Sequence, residues 1–412
     1  EAAIAEARKV VVDFFCYAKT VTWIPADNWE FTHHDDGTGP DTLRNAAYAV
    51  AAGAYKTVMA IGMDKLKDNG FSGNPFFVDL KVLKDKGLLT AAELAAAKQR
   101  IPYACEFDRL REERFALLKK AALRVSDRSE AEAFIAGNKY LEAFCNFMAL
   151  KDANGGEAAE WHDWTVDTID EDVLFMWKFI QYEFFTQWAE IKKYANDRGI
   201  GLIGDIPIYV AQDSSDVWSR REMFKLDKTG MPTHVAGCSP DYFSEDGQMW
   251  GNPIYNWDLM ENDSFTWWIN RVRVAFSLYD ILRIDHFRGF DEYFSIPADK
   301  GHAKYGHWEK GPGMELFRTI HARLGDVNVI AEDLGLMTDG VRKLVRDSGY
   351  PNMKVLQFAS DPSDIAFGND YWPHNYGRNC VVYTGTHDNE TLAGWYDSLT
   401  REAKKQLRCY LN

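Results

Sequence analysis

The 412-residue chain has six cysteines, Cys16, Cys105, Cys145, Cys238, Cys380 and Cys409, and no two of them form a Cys-x-x-Cys pair. That scatter excludes a zinc-ribbon core and a disulfide framework, and leaves reduced thiols in a cytosol-like compartment as the expectation. No apolar run approaches the ~20 residues that cross a bilayer. The first nine residues are charged and alanine-rich rather than signal-like, so no membrane partner is expected. Positive charge is short as well: 47 Lys and Arg face 62 Asp and Glu, a net charge of −15. Phosphate backbones would be repelled by most of such a surface, which excludes nucleic acid as a partner. No apolar run is followed by G-x-G-x-x-G or G-x-x-x-x-G-K-[ST], so dinucleotide and P-loop chemistry lose their main support. No internal repeat is present either, which removes solenoids and propellers.

What the chain does contain is apolar and aromatic. Apolar residues make up 46% and charged residues 26%, enough for one large core or two modest ones. Aromatics reach 14%, with 14 Trp; flat rings with a polar edge suit both core packing and stacking on sugar faces. One polar loop carries His33, His34, Asp35 and Asp36. Adjacent side chains rarely converge on one ion, so this loop reads as solvated and no metal is assigned to it.

Organisation changes along the chain. Residues 1–89 mix a helical start with short extended pieces, and residues 90–165 read as a helical subdomain insertion. Two capping boxes are expected there, Thr90 with Glu93 and Ser129 with Glu132. Over 171–196, Val173, Trp177, Ile180, Phe184, Trp188 and Ile191 recur at steps of three and four, predicting a long helix that Gly199 ends. Residues 166–412 then alternate short doubly buried strands, at 202–207, 281–284, 327–331, 354–358 and 381–384, with helices such as 264–278 and 339–347. That rhythm predicts a parallel sheet, either a closed barrel or an open doubly wound one.

Four strands end on or beside an acid: Asp205, Asp285, Glu332 and Asp388. In a parallel barrel the carboxyl ends of the strands open into one rim, so these acids would gather there. Crowded carboxylates raise one another's pKa and are tolerated mainly where chemistry needs them. Two reactions fit: metal-assisted hydrolysis, with His286 and His387 as further ligands, and glycosyl transfer by a nucleophile and an acid. Arg283 lies two residues before Asp285, on the same strand face, and would hold that carboxylate ionised. Glu332 follows Ile330 and Ala331, and burial there would raise its pKa towards that of a general acid. These neighbours favour glycosyl transfer.

RIDHFRGF, AEDLG and THDN, in this order, together with GNPFFVDL, GLIGDIPIYVAQDSSDVW and DYFSEDGQMWGNPIYNW, resemble the amylomaltases, or 4-alpha-glucanotransferases, over about residues 70–390. The resemblance implies an α/β fold, a (β/α)8 TIM-type barrel with helical subdomain insertions, incomplete at both ends of this chain. It implies a retaining 4-alpha-glucanotransferase acting on malto-oligosaccharides and on glucans from starch or glycogen, with no cofactor, in the cytoplasm or, in a plant, the plastid stroma. Asp285 would be the nucleophile, Glu332 the general acid/base and Asp388 the third acid. Arg283, His387 and Asp205 match surrounding subsite positions. Residues 237–257 would form an acceptor-side loop in which Asp241, Trp250 and Asn252 touch glucan. The Ser-Pro-Tyr segment such enzymes place before the GNP motif is absent from residues 15–70, where Trp23, Trp29 and Tyr48 are the candidate donor-side aromatics. The rival readings are an alpha-glucan hydrolase with the same acids and a non-catalytic glycan-binding barrel.

Overall fold

Short β-branched runs bounded by loops make the strands, and amphipathic helices between them cover the sheet. The computed structural model describes residues 58–60, 70–98, 107–240, 246–335, 337–360, 367–386 and 388–411. The strands in chain order are β1 (Val58–Ala60), β2 (Gly201–Ile206), β3 (His234–Cys238), β4 (Gln248–Pro253), β5 (Ile281–Ile284), β6 (Glu292–Pro297), β7 (His307–Lys310), β8 (Val329–Ala331), β9 (Asn352–Val355) and β10 (Cys380–Tyr383). Six of them pair in parallel in the order β1-β2-β5-β8-β9-β10. Each new parallel strand therefore lies beside the previous one, with helical crossovers between, which is the arc of a (β/α) barrel. The predicted strands are all in this sheet. Only β5 keeps its expected bounds: β2 and β10 lie one residue earlier, β8 starts at Val329 rather than 327, and β9 runs from Asn352 to Val355 rather than over 354–358, because Leu356–Ala359 turns into a 3-10 helix.

Period-two alternation sorts the strand residues. Leu202, Ile206, Leu282 and Ile284 are buried in the main core, while Asp205 and Arg283 fall on the opposite face as direct cross-strand partners. The helix Glu171–Asn196 forms over the predicted span, capped by Asp170, whose carboxylate accepts the N–H groups of Asp172 and Val173. Trp177, Ile180, Phe184 and Trp188 form its buried stripe, and Gly199 ends it at φ +72°. Each such ring or aliphatic side chain contributes ~1.5–3 kcal/mol by leaving water. Close approach fixes two glycines. A Cβ on Gly73 would lie 1.9 Å from the Phe184 ring, and one on Gly204 of β2 would lie 2.0 Å from Tyr279.

The helical stretch before this long helix packs on it through Phe107–Leu123, Ser129–Ala136 and Lys139–Ala153. Thr90 and Glu93 make the expected capping box. Ser129 and Glu132 do not. Ser129 is already inside its helix and gives its N–H to Asp127, while Glu132 pairs with Lys178 of the long helix at 2.6 Å. A cross-helix ion pair takes the acid that the local box needed. Lys151, fully buried, binds Asp213 at 2.6 Å and the carbonyl of Ala159 at 2.6 Å. It ties the helical stretch to the loop after β2.

A second sheet, antiparallel and ordered β4-β3-β6-β7, stands beside the barrel arc. It corrects the expectation of a plain loop over 237–257. β3 and β4 form a hairpin with a register shift between Val235 and Gly237, so Trp250 projects from an edge strand. Among the described residues, no helix is long and apolar enough to cross a membrane.

Candidate active site

Asp205 is the fifth residue of β2, Asp285 follows β5 directly, Glu332 follows β8 directly, and Asp388 lies in the loop after β10. All four thus stand at the carboxyl ends of parallel strands, the end at which barrel enzymes work. His387 and Asp241 lie outside the described residues, as do Trp23, Trp29, Tyr48 and the loop from His33 to Asp36.

Arg283 organises the first pair of acids. Its guanidinium bonds Asp205 through Nη1 and Asp285 through Nη2, the latter at 2.7 Å, and its Nε lies 3.3 Å from the Met353 sulfur. The side chain is only 13% exposed. Burial by itself would disfavour its charge, yet the carboxylates of Asp205, Asp285 and Glu332 outweigh that and push its pKa up. The result is a fixed cation that orients the Asp285 side chain, which is 43% exposed. The backbone N–H of Asp285 is held as well, by Ile206 of the neighbouring strand at 2.9 Å.

Glu332 stands in the opposite electrostatic situation. It is 7% exposed. Burial first, then the facing charge of Asp285, raises its pKa to about 7 against the lowering effects of Arg283 and of two backbone N–H groups. Those groups are the amides of His286, 2.7 Å from Oε2, and Leu334, 2.7 Å from Oε1. Two acids across one strand pair therefore differ in kind: Asp285 is clamped by a cation, and Glu332 retains its proton near neutrality. Such separation of environments is what divides acid from nucleophile in a carboxylate pair.

The walls come from both sheets. Trp250, 37% exposed, sets its ring against the His286 imidazole at 4.8 Å and 88°, with the Tyr209 ring 6.4 Å away. Its indole N–H is donated to Gln248 Oε1 at 2.9 Å. Asn252, expected to touch glucan, donates its amide to the Val210 carbonyl at 2.9 Å and so braces the loop after β2. Tyr255 and Arg271 brace the same loop through the Ile208 carbonyl. On the far side, Asn389 accepts from the N–H and hydroxyl of Thr386 at 2.8 and 3.0 Å, shaping the turn that carries Asp388. Asp333 is buried and accepts from Asn352 Nδ2 and the Met353 N–H, at 2.9 and 3.1 Å, locking β9 to the end of β8.

Sequence reasoning missed the backbone donors to Glu332 and the bracing network. Backbone amides carry no residue signature, and the only hint was the glycine of AEDLG, Gly335, which adopts φ +92°.

Residues 69–412 match the family model for glycoside hydrolase family 77, described as 4-alpha-glucanotransferase. A 4-alpha-glucanotransferase of Clostridium butyricum is 41% identical over 85% of this chain and 76% of its own length. One of Thermus thermophilus is 41% identical over 88% of this chain and 76% of its own length. An amylomaltase from Streptococcus agalactiae in complex with acarbose has a similar structure, with a TM-score of 0.79 and 36% identity over 86% of this chain and 76% of that one.

Proposed function

The chain belongs to the 4-alpha-glucanotransferases of glycoside hydrolase family 77, enzymes of glucan transglycosylation by a retaining glycosidase-type mechanism, and from that premise we propose that Asp285, Glu332 and Asp388 carry the reaction. A carboxylate oxygen of Asp285 attacks the anomeric carbon of an alpha-1,4-linked malto-oligosaccharide. The bond from that carbon to the leaving 4-oxygen breaks, and Glu332 gives its proton to that oxygen. The 4-hydroxyl of an acceptor glucan then attacks the same carbon. Its proton passes to Glu332, and the bond to Asp285 breaks. Asp388 grips sugar hydroxyls as charge develops on the ring. Arg283 holds the Asp285 carboxyl in place throughout, with Asp205 sharing the guanidinium. Trp250 lines the acceptor side, and water must be kept out there for transfer to win over hydrolysis. His387 and Asp241 complete the subsites in this reading.

The observation that carries it is the asymmetry of the pair: a cation-held Asp285 facing a Glu332 whose proton leaves near pH 7. Maltotriose is the test. The expected products are glucose and longer chains with no net gain in reducing ends, and Asp285→Asn is expected to abolish turnover. A rise in reducing ends would replace transfer by hydrolysis, and full turnover in the Asn variant would remove Asp285 as nucleophile.

A further inference from the structure

We propose that His286 is a positioning residue for Glu332, acting through its left-handed backbone rather than through its imidazole, with its ring seated against Trp250. This takes Glu332 to be the acid/base, as proposed above.

His286 has φ 53° and ψ 45°, the left-handed region, directly between Asp285 and the 3-10 helix Phe287–Phe290. Non-glycine residues enter this region rarely, at a cost of ~1–2 kcal/mol, although His is enriched among those that do. The consequence is visible in the hydrogen bonds. The His286 N–H reaches Glu332 Oε2 at 2.7 Å, and the next amide, of Phe287, reaches the Glu332 backbone carbonyl at 2.9 Å. Two successive N–H groups thus serve one residue, the first on its carboxylate and the second on its backbone carbonyl, and together they fix Glu332 against the turn. One peptide link joins residues 285 and 286, so the turn also fixes the attacking carboxylate relative to Glu332.

The imidazole itself is poorly suited to proton transfer. Burial first, with Asp285 opposing and Arg288 assisting, lowers its pKa to about 4, so the ring is neutral in the working range. Its edge packs on Trp250 at 4.8 Å, and a Cβ on Gly289 would come within 3.1 Å of its Cδ2. The ring is therefore a wedge between the β4 edge and the turn, and the amide is the working part. Charged and titratable groups around the pair are Arg283 of β5, Asp285 just after it, Arg288 from the following turn, and Tyr371, whose phenol is raised to about 12 by burial with Asp333 and Glu332 adding to it.

Losing a donor to the carboxylate raises the pKa of Glu332, which moves the upper limb of the pH profile for kcat upward. The test compares His286→Asn and His286→Gly, which accept the left-handed backbone, with His286→Val, whose β-branch does not, in maltotriose disproportionation between pH 5 and 9. Asn and Gly are expected to raise KM through lost support of Trp250 while the upper limb stays near 7. Val is expected to move that limb up by about half a unit or more and to lower kcat by about tenfold. If Val fails to fold in a thermal melt, His286→Ala, with the milder penalty, takes its place in the same comparison. A limb unchanged in Val, or Ala, overturns the proposal, as does an equal shift in Asn, which would make the ring the acting group. Glu332→Gln separates the two levels: if that variant turns over, the acid/base reading itself fails, whereas an inactive Gln variant beside an unmoved Val variant sinks only the role of His286.

Discussion

A carboxyl whose proton affinity is raised by burial is a liability to the fold once it ionises, and Glu332 allows that cost to be measured. Its pKa stands at about 7 against an ordinary 4.5. A group whose pKa is raised by folding contributes stability that is fully present below about 4.5 and is lost as the pH rises through about 7. At ~1.36 kcal/mol per tenfold change in proton affinity, the loss is about 3 kcal/mol. Glu332→Gln removes the titration but adds a constant penalty, because the amide offers one oxygen to the two N–H groups of His286 and Leu334. That penalty, ~1–3 kcal/mol, is independent of pH and cancels when melting points of variant and parent are compared across the range. Unfolding entropy of ~2.1 cal/mol/K per residue, over 412 residues, makes each kcal/mol worth about 1 °C. The variant should therefore gain about 3 °C on the parent between pH 4.5 and 8, measured by scanning calorimetry in matched buffers, while losing all turnover. A difference in melting point that stays flat over that range would refute the raised pKa, and with it the division of labour between the two acids.

Other consequences follow from single contacts. Trp250→Ala, which removes an exposed ring from the β4 edge, should raise KM for the acceptor by up to about tenfold and lower the ratio of transfer to hydrolysis, read by product chromatography with and without added glucose. Lys151→Met leaves Asp213 without its 2.6 Å partner in a buried setting and should cost ~3–5 kcal/mol by denaturant unfolding, with Lys151→Met/Asp213→Leu regaining most of it. A double variant no better than the single one would show that the pair is not the source of the loss.

How far the sequence announces this molecule depends on whether the relevant signal is periodic or positional. The helix Glu171–Asn196 was legible because apolar steps of three and four run up to the glycine stop at Gly199; its aspartate cap, Asp170, emerges only in the structure. Five of the six barrel strands were legible as short apolar runs whose terminal acids mark their ends, although burial on both faces, the expected reason for those runs, holds only for β8, whereas β2, β5 and β9 alternate between buried and half-buried residues. β3 and β4 were not, since an exposed edge strand such as Gln248–Pro253 carries polar residues and a glycine that read as loop. The Ser129 capping box failed for a related reason: local pattern proposed a partner for Glu132, and the neighbouring helix supplied a better one in Lys178.

At the site the same division holds. Arg283 and Asp285 share a strand face by simple alternation, so their ion pair could be read two residues apart. The groups that tune Glu332 could not, because they are peptide amides whose aim depends on a left-handed turn at His286 and a glycine at 335. In the roles proposed above, side chains name the acids that take part, while the backbone at residue 286 tunes the pH at which Glu332 yields its proton. A substitution that preserves every acid and alters only φ at residue 286 should then change the pH dependence without touching the residues that a sequence comparison would call catalytic.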